Sequence, residues 1–101
     1  NDALFTHCMQ KMRKNPEQYP LADRVRLAIT LATGDDNYSN FDNRKPDPSW
    51  VESKGVLTLR YYRMALSYSS APPWMEVCTL TADSQNKPNL SCQKIADSPF
   101  K

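Results

Sequence analysis

The feature that most constrains this chain is a pair of cysteines placed symmetrically about a polar turn. Two stretches with alternating apolar residues, 74–81 and 90–95, flank the polar segment 83–88. Opposed residues of an antiparallel pair have a constant sum of residue numbers, so placing Cys78 opposite Cys92 determines every other pair. Those pairs are Leu80 with Leu90, Glu76 with Lys94, Thr79 with Ser91, and Thr81 with Asn89.

These opposed residues are apolar, oppositely charged or polar on both sides, the combinations that stabilise neighbouring strands. Directly opposed residues at a non-hydrogen-bonded site lie about 4.5 Å apart at Cα, at the short end of what a disulfide tolerates. We therefore predict a disulfide between Cys78 and Cys92 that closes the hairpin. The alternative is that one of the two is an ordinary buried thiol, or that it pairs with Cys8.

Two helices are expected before the strands. Residues 2–14 and 20–33 each repeat apolar side chains at helical spacing, and Gly34 ends the second pattern. A short turn containing Pro16 and Pro20 separates the two segments. Helices joined by so short a turn pack against each other, which predicts an αα-hairpin.

Residues 34–49 are polar, rich in turn formers and without periodicity, which predicts a loop. Long irregular loops in compact domains are often functional. Tyr38, Phe41 and Arg44 are therefore candidates for contact with a partner. The alternative is a plain connector whose two aromatic rings pack on the core.

Residues 55–69 fit both a strand and a helix by periodicity, and their aromatic and threonine content favours a strand. Within them, Tyr61 and Tyr62 stand between Arg60 and Arg63, a combination found on single-stranded nucleic-acid platforms. On a strand the two arginines face opposite ways, and the chain has a net charge of only +2. We therefore expect no nucleic-acid partner.

The expected fold class is α+β in one domain spanning residues 1–101. It comprises an αα-hairpin, a long loop and a three-stranded antiparallel meander, with the helices covering one sheet face. The expected strands are 55–69, 74–82 and 89–95. The alternative is an all-α bundle clipped by a disulfide.

No motif for catalysis or cofactor binding is found. The chain has two glycines and one histidine, too few for a phosphate loop or paired metal histidines, and no Cys-x-x-Cys spacing. Residues 35–46 begin like a calcium loop, but Asn40 and Pro46 stand where glycine and glutamate are required. We expect no enzyme activity, no cofactor and no metal.

Two features of the sequence indicate the cellular compartment in which the protein folds. A hairpin disulfide favours an oxidising environment, and the first residue, Asn1, is consistent with removal of a leading signal. No apolar run approaches the roughly 20 residues that span a bilayer. The expected location is periplasmic or secreted.

The expected function is a small exported protein-binding module of the inhibitor, immunity or secretion-accessory type, whose partner is another protein. The side chains expected to contact the partner are Tyr38, Phe41, Arg44, Tyr61, Tyr62 and Trp74.

The alternative function is a structural subunit of a cell-surface assembly. An amino-terminal helix, a loop, and antiparallel strands with two cysteines near the carboxyl end form an outline similar to the soluble domains of type IV pilins. Pro16 and Pro20 interrupt the helix that is continuous in that outline. The resemblance implies self-assembly of the chain on a cell surface.

Overall fold

The structure is a computed structural model that describes residues 2–34, 47–65 and 74–96. Two helices come first, α1 (Asp2–Lys14) and α2 (Leu21–Thr33), joined through a single 3-10 turn at Pro16–Gln18. The strands β1 (Ser49–Ser53), β2 (Val56–Ala65), β3 (Trp74–Ala82) and β4 (Pro88–Ala96) follow. They form one antiparallel sheet in the order β1-β2-β3-β4. The predicted α+β class is confirmed, and the all-α alternative is wrong.

Both helices lie where the apolar spacing predicted them, within one residue at each end. Helix α1 carries three basic residues in its last turn, which favours that end because the carbonyl groups there carry partial negative charge. Helix α2 ends at Gly34, whose φ of 74° is left-handed and whose backbone N–H donates to the Thr30 carbonyl over 2.8 Å. A glycine adopts that conformation without the cost of a Cβ.

The sheet has four strands, and the prediction of three was wrong. Strand β1 begins at Ser49, inside the segment assigned to the loop, and pairs with β2 through a two-residue turn. The turn residues Lys54 and Gly55 have φ values of 54° and 78°, which suit the tight turns of two-residue hairpins. Gly55 therefore lies in a turn and does not begin a strand. β1 escaped prediction because it is only five residues long and Lys-Gly is not a usual signal for this turn.

The ambiguous segment 55–69 contains strand β2, and its residues 66–69 lie outside the described part of the chain. The register predicted for the last hairpin is confirmed at all five pairs. Cys78 and Cys92 form the predicted disulfide, with Cα atoms 4.1 Å apart.

The helices cover one face of the sheet, which we call the inner face. Side chains from both helices pack there against alternate residues of β2 and β3. The buried cluster comprises Phe5, Met9, Met12, Val25, Ala28, Ile29, Leu57, Leu59, Tyr61, Cys78, Leu80 and Ala82. Cys8 is half-buried against this cluster and is not disulfide-bonded, so the alternative pairing with Cys8 is wrong.

Candidate protein-interaction surface

The outer face is the side of the sheet opposite the helices. Its side chains alternate along each strand with those of the inner face, because successive residues of a strand point to opposite sides. In the three longer strands it is formed mainly by polar residues, with an apolar group near the end where β3 begins. Its members include Thr58, Arg60, Tyr62, Met75, Val77, Thr79, Thr81, Asn89, Ser91 and Gln93.

A shallow depression of about 340 Å³ lies in the middle of the outer face. Hydroxyl groups from three neighbouring strands line it, together with the exposed Arg60. A sheet face of this composition is compatible with water on its own and also offers donors and acceptors to another protein. The complete lining is Thr58, Arg60, Val77, Thr79, Ser91 and Gln93.

Strand β4 is one of the two edges of the sheet and continues directly from the outer face. Every residue from Asn89 to Ile95 is exposed, including Leu90 at 38 % and Ile95 at 50 %. In the part of the chain that the structure describes, no strand pairs with its outer side. An exposed edge of this length presents unpaired backbone donors and acceptors to other chains.

The other edge strand, β1, is also largely exposed, but side chains of both helices contact its inner face. Trp50 is half-buried on the inner face, and the guanidinium of Arg24 lies 5.0 Å from the centre of its ring. Arg24 also donates from Nε to the carbonyl of Tyr19 over 3.0 Å, which holds the cation over the ring. Among the described residues, the buried Nε1–H of Trp50 has no hydrogen-bond partner.

Arg13, near the end of α1, joins both hairpin turns. Its Nε donates to Glu52 Oε1 over 2.9 Å, and its Nη2 donates to the Gly55 carbonyl over 3.2 Å, both at the β1–β2 turn. Its Nη1 donates to the Asp83 carbonyl over 2.7 Å and to Asn86 Oδ1 over 2.9 Å, both at the β3–β4 turn. The planar guanidinium suits this role because its donors diverge in a rigid fork.

The β3–β4 turn is organised around Asp83. Its carboxylate oxygen Oδ1 accepts hydrogen bonds from the backbone N–H groups of Gln85 and Lys87, each over 2.9 Å. The bond from Lys87 is the main cause that lowers the pKa of Asp83 below its usual 3.8, and the nearby charges of Lys87 and Arg13 add to it. Asn86 adopts a φ of 62° in the same turn and is only 6 % exposed. The turn that precedes β4 is therefore hydrogen-bonded to α1 through Arg13.

The residues predicted to contact a partner fall in three groups. Tyr62 is half-buried on the outer face, within the candidate surface. Tyr61 lies on the inner face and is 1 % exposed in the core, so its ring is not presented at the surface. Trp74 begins β3, and its side chain lies outside what the structure describes.

The three loop candidates, Tyr38, Phe41 and Arg44, also lie outside the described residues. Among the described residues, the candidate surface therefore consists of Tyr62, the other side chains of the outer face and the β4 edge. The sequence did not single out β4 as a surface, although one signal was present. Its outer-face positions, Asn89, Ser91 and Gln93, are all polar, which is typical of a strand with a solvated face.

A metal ion needs several ligand atoms close together. Within the described ranges, the one group of three neighbouring ligand atoms comes from Glu76, Cys78 and Cys92. The two sulfur atoms are bonded to each other, so neither is a thiolate ligand. This group is therefore a disulfide with a carboxylate beside it.

Comparison with protein-family models, curated proteins and solved structures returned no match to this chain. Neither helix of the described residues has the length and apolar character needed to cross a membrane.

Proposed function

We propose that this protein is an exported, non-enzymatic protein-binding module of the inhibitor, immunity or secretion-accessory type. The observation that carries the proposal is the exposed β4 edge, which adjoins the polar outer face. Together they form a continuous surface on one side of a rigid domain. Surfaces of this kind bind other proteins through backbone pairing and side-chain hydrogen bonds.

Export is supported by the hairpin disulfide between Cys78 and Cys92. Disulfides persist in the periplasm and outside cells and are rare in the reducing cytosol. The proposed location is therefore the periplasm or the extracellular space.

Capture followed by reconstitution tests the binding function. The disulfide-bonded chain is immobilised and exposed to a cell-envelope extract, and a retained protein is identified by mass spectrometry. That protein is then purified and mixed with the chain at equal concentrations. We expect one defined complex by size-exclusion chromatography, and a chain that stays monomeric when alone. Failure to retain any protein, or turnover of a substrate in a broad activity panel, contradicts the proposal.

A structural subunit of a surface assembly is the second candidate, and the same β4 edge favours it because strand exchange is one route to polymers. The two candidates differ in what the purified chain does alone. Self-association that increases with concentration, without any other protein, supports the assembly subunit and contradicts the binding module.

A further inference from the structure

We propose that the outer edge of β4 receives an extended segment of the partner protein as a fifth strand. This segment carries a carboxylate and a large apolar side chain four residues apart on one face. The inference rests on the proposed binding function and deepens it, because it specifies the chemistry of the partner.

The backbone of β4 is oriented for such an addition. The Cα separation of 4.1 Å between Cys78 and Cys92 identifies a non-hydrogen-bonded pair, since hydrogen-bonded pairs lie about 5.5 Å apart. The N–H and C=O of Cys92 therefore point away from β3. Alternation along the strand gives the same orientation to Leu90 and Lys94. A fifth strand could pair with all three residues.

The usable part of this edge is limited at both ends. Pro88 begins the strand, and the register shifts between Met75 and Glu76, so that Ile95 forms an irregularity after Lys94. Prolines and bulges are the devices by which proteins protect edges from pairing. Between them, residues 89–94 leave an extended stretch of roughly 20 Å at the usual rise of a strand.

The charged residues across the sheet determine which side chain the added strand needs. Arg63 lies opposite Glu76, with Nε 3.7 Å from Oε1, and Glu76 lies opposite Lys94. This row alternates positive, negative and positive from β2 to β4 and ends with Lys94 on the edge strand. A carboxylate in the same row of a fifth strand would continue the alternation, which stabilises neighbouring strands.

A second row on the inner face determines the apolar side chain. Leu59 lies opposite Leu80, and Leu80 lies opposite Leu90. The first two are buried, whereas Leu90 at the edge is 38 % exposed. An apolar side chain beside Leu90 would cover it. Because Leu90 and Lys94 share a face and are four residues apart, the two partner side chains are also four residues apart.

Pairing with the β4 strand of a second copy does not meet these requirements. Strand β4 has the sequence Pro-Asn-Leu-Ser-Cys-Gln-Lys-Ile-Ala, which contains no carboxylate. Pairing two copies of β4 would place Lys94 beside an uncharged residue or beside the other Lys94. The charged row would then gain no further opposite charge, or two like charges would face each other. The occupant that fits is an acidic strand from another protein.

Selection from a displayed library of random peptides of about ten residues tests the inference. The baits are the wild type, Leu90→Pro and Lys94→Glu. We expect the wild type to enrich peptides with Asp or Glu four positions from a large apolar residue. Such a peptide should bind Lys94→Glu about tenfold more weakly, and that variant should instead select Lys or Arg at the same position.

Leu90→Pro removes an N–H that points away from β3, so the ladder to β3 keeps its bonds and the strand loses a donor at the edge. We expect this variant to lose the selected peptides while its thermal midpoint stays close to that of the wild type. If Leu90→Pro does not fold, the charge preference of Lys94→Glu decides the test alone.

Three results would overturn the inference. They are no enrichment on the wild type, enrichment without the predicted pair of side chains, and the same peptides selected by all baits. Dimerisation of the wild type that Leu90→Pro abolishes would also overturn it and identify a second copy as the occupant. If a partner protein from the envelope extract binds wild type and both variants equally, the binding function stands and the strand addition fails.

Discussion

The two edge strands of the sheet, β1 and β4, differ in length and in their contacts with the helices. β1 is five residues long, and its inner-face side chains Trp50 and Glu52 contact Arg24 of α2 and Arg13 of α1. β4 is nine residues long and exposed from Asn89 to Ile95. Helix side chains contact the inner face of β1, although four of its five residues are exposed, whereas β4 is exposed along seven consecutive residues.

The contacts that hold the two edge strands differ in part. The ladder to β2 and side-chain contacts from both helices hold β1. The ladder to β3, the disulfide and the β3–β4 turn, which Arg13 of α1 also contacts, hold β4, and within the described residues no strand pairs with its outer side. Pro88 and the irregularity at Ile95 limit pairing at the two ends of β4, and the proposed binding role rests on the exposed residues 89–94 between them.

Removal of the disulfide should have the largest effect, and it should act on β4. In Cys78→Ala/Cys92→Ala the unfolded chain is no longer restrained across a sequence separation of 14 residues. We expect the free energy of unfolding to fall by about 3 kcal/mol. Urea unfolding measures the loss, and hydrogen exchange should show protection falling more in β4 than in β1.

Cys8→Ala is the matched control, because Cys8 is half-buried and outside any disulfide. It should change the free energy of unfolding by less than about 1 kcal/mol. Equal losses in the control and the double variant, or a greater loss of protection in β1, would show that the disulfide does not hold β4.

Replacement of Arg13 should have the next largest effect and should act on both turns. Arg13→Ala removes the bonds to Glu52 and to the Gly55 carbonyl, and it leaves the buried Asn86 Oδ1 without this donor. We expect the free energy of unfolding to fall by about 2 kcal/mol, because charged hydrogen bonds are lost and a buried polar oxygen loses a hydrogen-bond donor. Chemical denaturation measures it.

Arg26→Ala, at an exposed position of α2, is the control and should stay within about 0.5 kcal/mol of the wild type. Arg13→Lys should recover only part of the loss, since an ammonium cannot bond both turns through a planar fork. Full recovery by lysine would mean that charge alone matters at this position.

The smallest expected effect concerns pH at the turn that precedes β4. The folded pKa of Asp83 is lowered below 3.8, chiefly by the hydrogen bond from the Lys87 N–H. The ionised carboxylate therefore stabilises the fold above pH 3.8, and this stabilisation disappears as the pH falls through the folded pKa. We expect Asp83→Asn to lose less stability than the wild type on acidification from pH 7 to about pH 3.

Urea unfolding at the two pH values measures this difference, with Asp23→Asn on the exposed side of α2 as the control. The control should follow the wild type. If Asp83→Asn also follows the wild type, the hydrogen bonds to Asp83 do not stabilise the turn.

Much of the fold was predictable because the relevant signals are local. Apolar residues at helical spacing located α1 and α2, and Gly34 marked the end of α2. The register of β3 and β4 followed from two cysteines, since one opposed pair determines all others in an antiparallel ladder. Strand β1 was missed because five residues carry too little periodicity.

The candidate surface was only partly predictable. Tyr61 and Tyr62 have the same side chain type and adjacent positions, and both were predicted to contact a partner. The structure places Tyr61 in the core and Tyr62 on the outer face, because neighbouring residues of a strand point to opposite sides. Which face of the sheet the helices cover depends on tertiary packing.

The sequence by itself determined the two helices, the disulfide and the register of the last hairpin, all of which depend on spacing along the chain. The tertiary structure decided which face of the sheet the helices cover and which edge strand their side chains contact. It also brought Arg13 to Glu52 and Asn86, which are 39 and 73 residues away. Contacts over such separations depend on how the helices pack on the sheet, and no local pattern encodes that packing.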